Sequence, residues 1–301
     1  MMRKYIWNAF LVLLMFFPLL VPAQEDLLNL LKDQKPPVNY AEAIFKTSRI
    51  VIGQSIENPA QGNMLFLVTH HFGALNTGYS NLFGLKQAAI RIGMEYGLSK
   101  RLAFGIGLNT DRNTWDGFLK YKVLRQKSGG KKFPFSLSLF ANTAVYTTKW
   151  ENPDRKNYLS SRMSYCIQVL IARKFGSRLS LQITPSMVHK NLVPISADHN
   201  DIFTLGGGGR MKISNRVSIN AEYHHIFKGQ VVSSKVYDSF STGVDIETGG
   251  HVFQIFLTNS MGENEEGFLA NTTGRWSKGD IFLGFNITRI FTIIKPKSFR
   301  E

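Results

Sequence analysis

Cysteine is almost absent, with one residue, Cys166, in a chain of 301. An intramolecular disulfide is therefore excluded, and stability has to come from packing and strand pairing. Long apolar runs are missing as well. Beyond Val21 no stretch approaches the roughly 20 apolar residues that a spanning helix needs, so no transmembrane helix is expected there. Acidic residues are scarce beside basic ones, 21 against 36, giving a net charge of +15. Such a surplus raises the question of nucleic acid. Many basic residues, however, fall in turns between apolar segments (Lys100, Arg101, Lys127, Lys131, Lys132, Arg178, Arg216), where anionic lipid headgroups or a solvated rim account for them. Nucleic acid is not expected as a partner.

What is present begins with an export signal. Arg3 and Lys4 precede an apolar run from Ala9 to Val21, closed by Pro22-Ala23. A positive start, a short apolar core and a small exit residue read as a signal peptide over 1–23, cleaved after Ala23. The lack of a cysteine after the cut argues against a lipoprotein. Residues 24–62 read as a periplasmic N-terminal extension. Its leucine-rich stretch (DLLNLLKDQ) suggests one or two helical turns before Pro36-Pro37, and Ile44–Ile56 reads as a strand or a segment tucked against the rest of the chain.

From residue 63 to the end, about twelve segments alternate apolar with polar or small residues, the period of two that marks strands. They fall at 63–72, 88–97, 101–109, 114–124, 133–146, 162–174, 179–190, 202–213, 217–227, 239–248, 251–258 and 279–290. In the seventh, Leu179, Leu181, Ile183 and Met187 oppose Ser180, Gln182, Thr184 and Ser186. In the last, Ile281, Leu283, Phe285 and Ile287 oppose Gly284, Asn286 and Thr288. A soluble barrel alternates too, but twelve long strands without helices fit no compact soluble core.

The connections carry the decisive asymmetry. Tight turns at 98–100, 175–177, 214–216 and Gly249-Gly250 alternate with longer loops at 73–87, 147–161, 191–201, 228–238 and 259–278; the exceptions are a short 110–113 and a longer 125–132. Short turns on one rim and long loops on the other are the signature of outer-membrane barrels. An even strand count then places both termini on the periplasmic, short-turn side. Tyr96, Trp115, Tyr121, Tyr165, Phe203, Tyr223 and Phe227 near strand ends fit interfacial girdles. The fold expected is thus all-β, a single transmembrane antiparallel barrel occupying 63–301, embedded in outer-membrane lipid and inserted by the outer-membrane assembly machinery.

Seven stretches, FKTSRIVIGQSIE (45–57), HHFGALNTG (70–78), NLFGLKQAAIRIGMEYGLSKRLAFGIG (81–107), DGFLKYKVLRQ (116–126), LIARKFGSRLSLQITPSMVHKNLVP (170–194), DIETGGHVFQIFLTNSMG (245–262) and KGDIFLGFNITRIF (278–291), carry a resemblance. The chain resembles an uncharacterised family of bacterial outer-membrane β-barrel proteins, a domain of unknown function. The resemblance implies a barrel and no activity. Many such barrels end on an aromatic residue read by the assembly machinery; here Phe291 is followed by a basic tail ending Phe299-Arg300-Glu301.

Projecting the polar faces inward yields the expected lumen lining: Arg91, Glu95, Asp116, Lys120, Lys122, Arg162, Arg210, Lys212, Glu222, His224, Asp245 and Glu247. Charges of both signs on neighbouring strands must pair or face water. Asp245 and Glu247, two residues apart and so on one face about 7 Å from each other, could form an acidic patch with Glu222 and His224, but simple pairing with the Arg and Lys of the lumen is the preferred expectation. The doublets His70-His71 and His224-His225 cannot each chelate one ion, because adjacent strand residues face opposite sides. No cofactor or metal is expected. Gly206–Gly209 is not a phosphate loop, since no helix follows. The inward glycines Gly93, Gly97, Gly105, Gly107, Gly206 and Gly208 make room for water or for an inserted segment such as 44–56. Three functions stay open: a narrow pore or solute-transport component, a non-conducting barrel with a plugged charged lumen, and a membrane-embedded hydrolase using the outward His225. The hydrolase has the weakest support, because no spacing fixes a triad, and the protein is not expected to be an enzyme.

Overall fold

The computed structural model describes residues 37–129, 132–150 and 152–295. The signal peptide, the leucine-rich lead-in and the tail Phe299-Arg300-Glu301 lie outside the described residues. The chain divides into two compact units. Of the smaller, Met1–Asn39 with Gly129–Lys131, only 37–39 and 129 are described. The larger, Tyr40–Ser128 with Lys132–Glu301, holds the strands and the segments packed among them.

Twelve strands form one closed antiparallel barrel. They are β1 (Asn63–Ala74), β2 (Ala88–Gly97), β3 (Leu102–Asn109), β4 (Thr114–Leu124), β5 (Ser136–Tyr146) and β6 (Met163–Phe175), followed by β7 (Leu179–Lys190), β8 (Asp201–Lys212), β9 (Val217–Ile226), β10 (Ser239–Thr248), β11 (His251–Thr258) and β12 (Phe282–Thr292). Each pairs with its sequence neighbours, and β12 closes on β1 in a register that sets Asn286 opposite Thr69 and Thr288 opposite Leu67. Closure leaves no unpaired strand edge, as backbone groups in lipid require.

The observed strands follow the alternation closely, with starts that differ at five places and several ends that differ by one or two residues; β3 begins at Leu102 rather than 101 and β8 at Asp201 rather than 202. β5 begins at Ser136 rather than 133, and β6 at Met163 rather than 162. β12 begins at Phe282 rather than 279, so Ile281 precedes the strand. There Gly279 takes a left-handed φ of 75° and Asp280 accepts from the Arg275 amide at 3.0 Å, which holds the chain in a turn. Connections 98–101, 125–135, 176–178, 213–216 and 249–250 form one rim; 75–87, 110–113, 147–162, 191–200, 227–238 and 259–281 form the other, with 125–135 the long exception on the first and 110–113 the short one on the second.

Burial settles which face points where. On β7 the serine, glutamine and threonine side chains at 180, 182 and 184 are buried, whereas Ile183 is 56% exposed. The same inversion holds for β3, where Phe104, Ile106 and Leu108 face out and Ala103, Gly105 and Gly107 face in. An apolar exterior around a polar interior is the arrangement lipid selects and water does not. Trp115, Tyr165, Phe203 and Phe227 stand exposed towards the long-loop rim, and Tyr121 towards the other.

The interior is filled. The stretch 44–57 lies inside the barrel, one of the two fillings for which the inward glycines leave room. From the opposite rim, the β11–β12 connection folds inward and carries a short helix, α1 (Glu265–Ala270), buried along its whole length. Apolar side chains of the first segment (Ile44, Phe45, Ile50, Val51, Ile56) join Phe118, Phe140, Leu170 and Phe256 of the wall and Phe268 of α1 in one buried cluster.

Candidate functional site: the plugged interior

The segment enters as a hairpin. Arg49 and Gln54 form an antiparallel bridge, Ser55 N donates to Ser48 O at 2.8 Å, and Ile50 N donates to Gly53 O at 2.9 Å. The tip is thus Ile50-Val51-Ile52-Gly53. Its amides point at one carboxylate: Ile52 N and Gly53 N donate to Glu222 Oε1 at 2.8 and 2.9 Å. A side chain at position 53 would meet Glu222 Oε2 at 2.9 Å and His224 Nε2 at 3.0 Å, so this grip requires glycine. Gly208 makes room on the wall, since Ile50 Cδ1 lies 2.7 Å from where its Cβ would stand.

Other strands hold the same hairpin. Gln254 Nε2 donates to Ile50 O at 2.8 Å, Asn286 Nδ2 to Val51 O at 2.8 Å, and Gln182 Nε2 to Gln54 O at 2.7 Å. Lys120 Nζ reaches Gln54 Oε1 and Ser55 O, both at 3.2 Å. Ser48 Oγ donates to Glu95 at 2.8 Å. Below the tip, Glu57 accepts from Ile44 N at 2.7 Å and lies 3.6 Å from Lys122 Nζ.

The two inserted segments meet. Arg49 Nη1 lies 3.0 Å from Glu265 Oε1 of α1, and Gln54 Nε2 donates to the same oxygen at 3.0 Å. α1 is seated by Glu266, which accepts from Ser164 Oγ at 2.7 Å and Asn271 Nδ2 at 3.0 Å. Burial alone would raise the Glu266 carboxyl, but Arg112 and Lys190, with the Ser164 and Asn271 bonds, hold it below its ordinary range. Glu263 has the opposite setting. Buried 3.7 Å from His71 Nδ1, its carboxyl is pushed up to about 8 by burial, against the pull of Arg91 and with Asp111 and Asp116 adding to the rise.

A raised carboxyl favours the seated state fully only below its ordinary value of 4.5, and the advantage is lost as pH rises towards about 8. Hydrogen exchange of the Glu265–Ala270 amides, corrected for intrinsic rate, is therefore expected to accelerate across that window, by up to about tenfold per pH unit. Glu263→Gln should flatten this dependence. An unchanged slope in the variant would remove Glu263 as its source.

The expected lumen residues divide into groups. Arg91 and Asp116 form a buried two-point pair, with Nε to Oδ2 at 2.9 Å and Nη2 to Oδ1 at 2.5 Å. Glu95, Lys120 and Glu222 hold the hairpin, with His224 ring-to-ring 5.1 Å from Phe268 of α1. Asp245, Glu247 and Glu222 make no open acidic patch: Asp245 accepts from Gln254 at 2.6 Å, Glu247 pairs with Lys46, and Glu222 is occupied by backbone amides. Arg210 donates to Ser218 Oγ at 3.0 Å. Lys122, Lys212 and Glu247 are half-buried at the short-turn mouth. Arg162 stands on no strand; it ends the turn before β6, at the long-loop mouth, stacked 3.4 Å from the Trp150 ring centre.

Residues missed in the sequence are the backbone-directed anchors Gln182, Gln254 and Asn286, and α1 itself. Asn264, whose side chain accepts from Gly267 N at 2.8 Å, followed by Glu265-Glu266, is a helix-start signal present in the sequence. On the outer wall His225 Nδ1 lies 3.0 Å from Asp238, but among the described residues no serine hydroxyl hydrogen-bonds that histidine. No group of metal-ligating residues occurs among the described residues.

A model of the membrane-bound β-barrel domain family DUF5777 matches residues 45–291. The chain belongs to this family. The match begins inside the hairpin, so hairpin and barrel fall in one family domain. Among solved structures, the NanC porin is similar at 8% identity and TM-score 0.46, over 77% of this chain and 100% of that one. An outer-membrane channel from Pseudomonas putida F1 is similar at 13% identity and TM-score 0.46, over 78% and 97%. The toluene transporter TodX from Pseudomonas putida is similar at 9% identity and TM-score 0.39, over 85% and 95%. No curated protein matches the chain.

Proposed function

We propose that the protein is a gated solute-transport component of the outer membrane, closed at rest by its own N-terminal hairpin. One observation carries this reading: every strand contributes at least one buried polar side chain to the inner wall. Ser138, Gln168, Ser180, Thr184, Ser241 and Thr288 are all buried behind the inserted segments. A wall built only to enclose a permanent plug is more stable when apolar, because each buried polar group must find a partner. A wall that meets water when the plug leaves has reason to be polar. In this reading the apolar N-terminal run acts as a cleaved export signal, the long loops face outward from the cell, and the assembly machinery inserts the barrel.

The test is planar-bilayer recording of the purified full chain. The native protein is expected to stay closed with rare openings. A variant combining Arg49→Ala with Gln182→Ala, which removes attachments at Gln54 and Glu265, should show frequent ohmic steps. Silence from both proteins, with the barrel folded, would favour the second reading, a non-conducting barrel. The apolar cluster around Ile44, Phe45 and Ile56 is what supports that alternative.

A further inference from the structure

At the long-loop mouth, above α1, lies a cavity of about 610 Å³ that the gating reading does not use. Its charged lining is Arg112, Arg162, Lys190, Asp111 and Glu266, three cations against two carboxylates. Glu266 is already taken by Ser164 and Asn271, and Lys190 Nζ donates to Asn271 Oδ1 at 2.6 Å. Arg112 lies 3.6 Å from Glu266, with its guanidinium 5.2 Å from the Tyr146 ring centre.

Arg162 differs from the rest. It is 7% exposed, its Nε is buried without a protein hydrogen-bond partner, and no carboxylate pairs with it among the described residues. A guanidinium in that state is costly to bury alone. Stacking on Trp150 and Tyr146 fixes its plane, and among the described residues no hydrogen bond engages its guanidinium. Such a fork matches a carboxylate or phosphate with two parallel bonds. Beside it, Leu192, Val193 and Pro194 give the cavity an apolar side.

We propose that this cavity is a binding site for a small organic anion, a phosphate or carboxylate head on a compact, partly apolar body, with Arg162 as the principal anchor and Arg112 as the second. The site is complete in the closed barrel, so its occupancy does not depend on whether the pore opens. Its walls come from the inner side of the rim and from loops, which favours a soluble anion over a lipid headgroup.

Phenyl phosphate is the probe, titrated calorimetrically into the full chain in a zwitterionic detergent. One saturable site is expected, with weaker binding of inorganic phosphate and none of phenol. Arg162→Gln should weaken phenyl phosphate roughly tenfold to a hundredfold, and Arg162→Lys less, because a point charge keeps attraction but loses the fork. Arg112→Gln, on an exposed side chain that leaves the Trp150 stack intact, should cost several-fold and guards against misfolding of the first variant. Absence of saturable binding, or equal affinity in all variants, would overturn the proposal. So would loss of phenyl phosphate binding in phosphatidylglycerol vesicles but not in phosphatidylcholine vesicles, which would assign the site to a lipid headgroup.

Discussion

Replacing Glu222 with alanine is expected to release the hairpin tip and shift the barrel towards an unplugged state by about a hundredfold. The carboxylate accepts from Ile52 N and Gly53 N in a buried setting. Hydrogen bonds to a charged group contribute roughly 1.5–3 kcal/mol each, and donors stranded on removal of their acceptor add to the cost. A net change of about 3 kcal/mol corresponds to roughly two decades in the equilibrium. The readout is alkylation of a cysteine placed at Ser48, in a background where Cys166 is serine. Native protein should react slowly, since Ser48 is buried, and the Glu222→Ala form far faster. Glu222→Gln keeps one acceptor oxygen and should fall between. Equal rates in all three would show that the tip is held by its apolar packing alone.

The second large effect concerns the barrel rather than the plug. Arg91→Ala is expected to destabilise the protein by about 3–5 kcal/mol, because Asp116 is left charged and buried without its partner. Removing both, as Arg91→Leu with Asp116→Leu, should recover most of that loss, since an apolar pair carries no desolvation penalty. Urea unfolding in detergent micelles, followed by the mobility difference between folded and unfolded barrels, measures all three. A double variant as unstable as the single one would mean the damage comes from lost shape, not from the stranded charge.

The strand pattern is legible in the sequence because it is local. Period-two alternation and turn chemistry are written within ten or so residues, and the regular faces of β2 and β7 can be read directly. The direction of those faces is not written locally; it comes from loop asymmetry and is seen in the exposure of Ile183 against the burial of Gln182. The hairpin is half visible. Its sequence, FKTSRIVIGQSIE, carries apolar residues on both faces, as a segment surrounded on all sides must, so period alone cannot place it. Gly53 and Gly208 are both signals of close approach, yet only the second stands in the strand pattern that makes such a glycine conspicuous. Extending the alternation one residue too far puts Arg162 on a strand face; the 3-10 turn Leu159–Arg162 directs it towards the mouth instead. The partners of Asp245 and Glu222 are hidden from sequence because they lie on other segments: Gln254 on the adjacent strand and amides some 170 residues earlier in the chain.

The hairpin also bears on the order in which the molecule is built. Its residues are among the first of the described unit to leave the ribosome, yet two of its carbonyls are held by the last strands made. Asn286 on β12 bonds Val51 across 235 positions, and Gln254 on β11 bonds Ile50 across 204. The hairpin runs on into β1, so these bonds tie β11 and β12 to the strand on which the barrel closes. Contacts this remote in sequence are slow to form. Once made, they clasp the seam from inside, and the segment that fills the barrel also fastens its first strand to its last two.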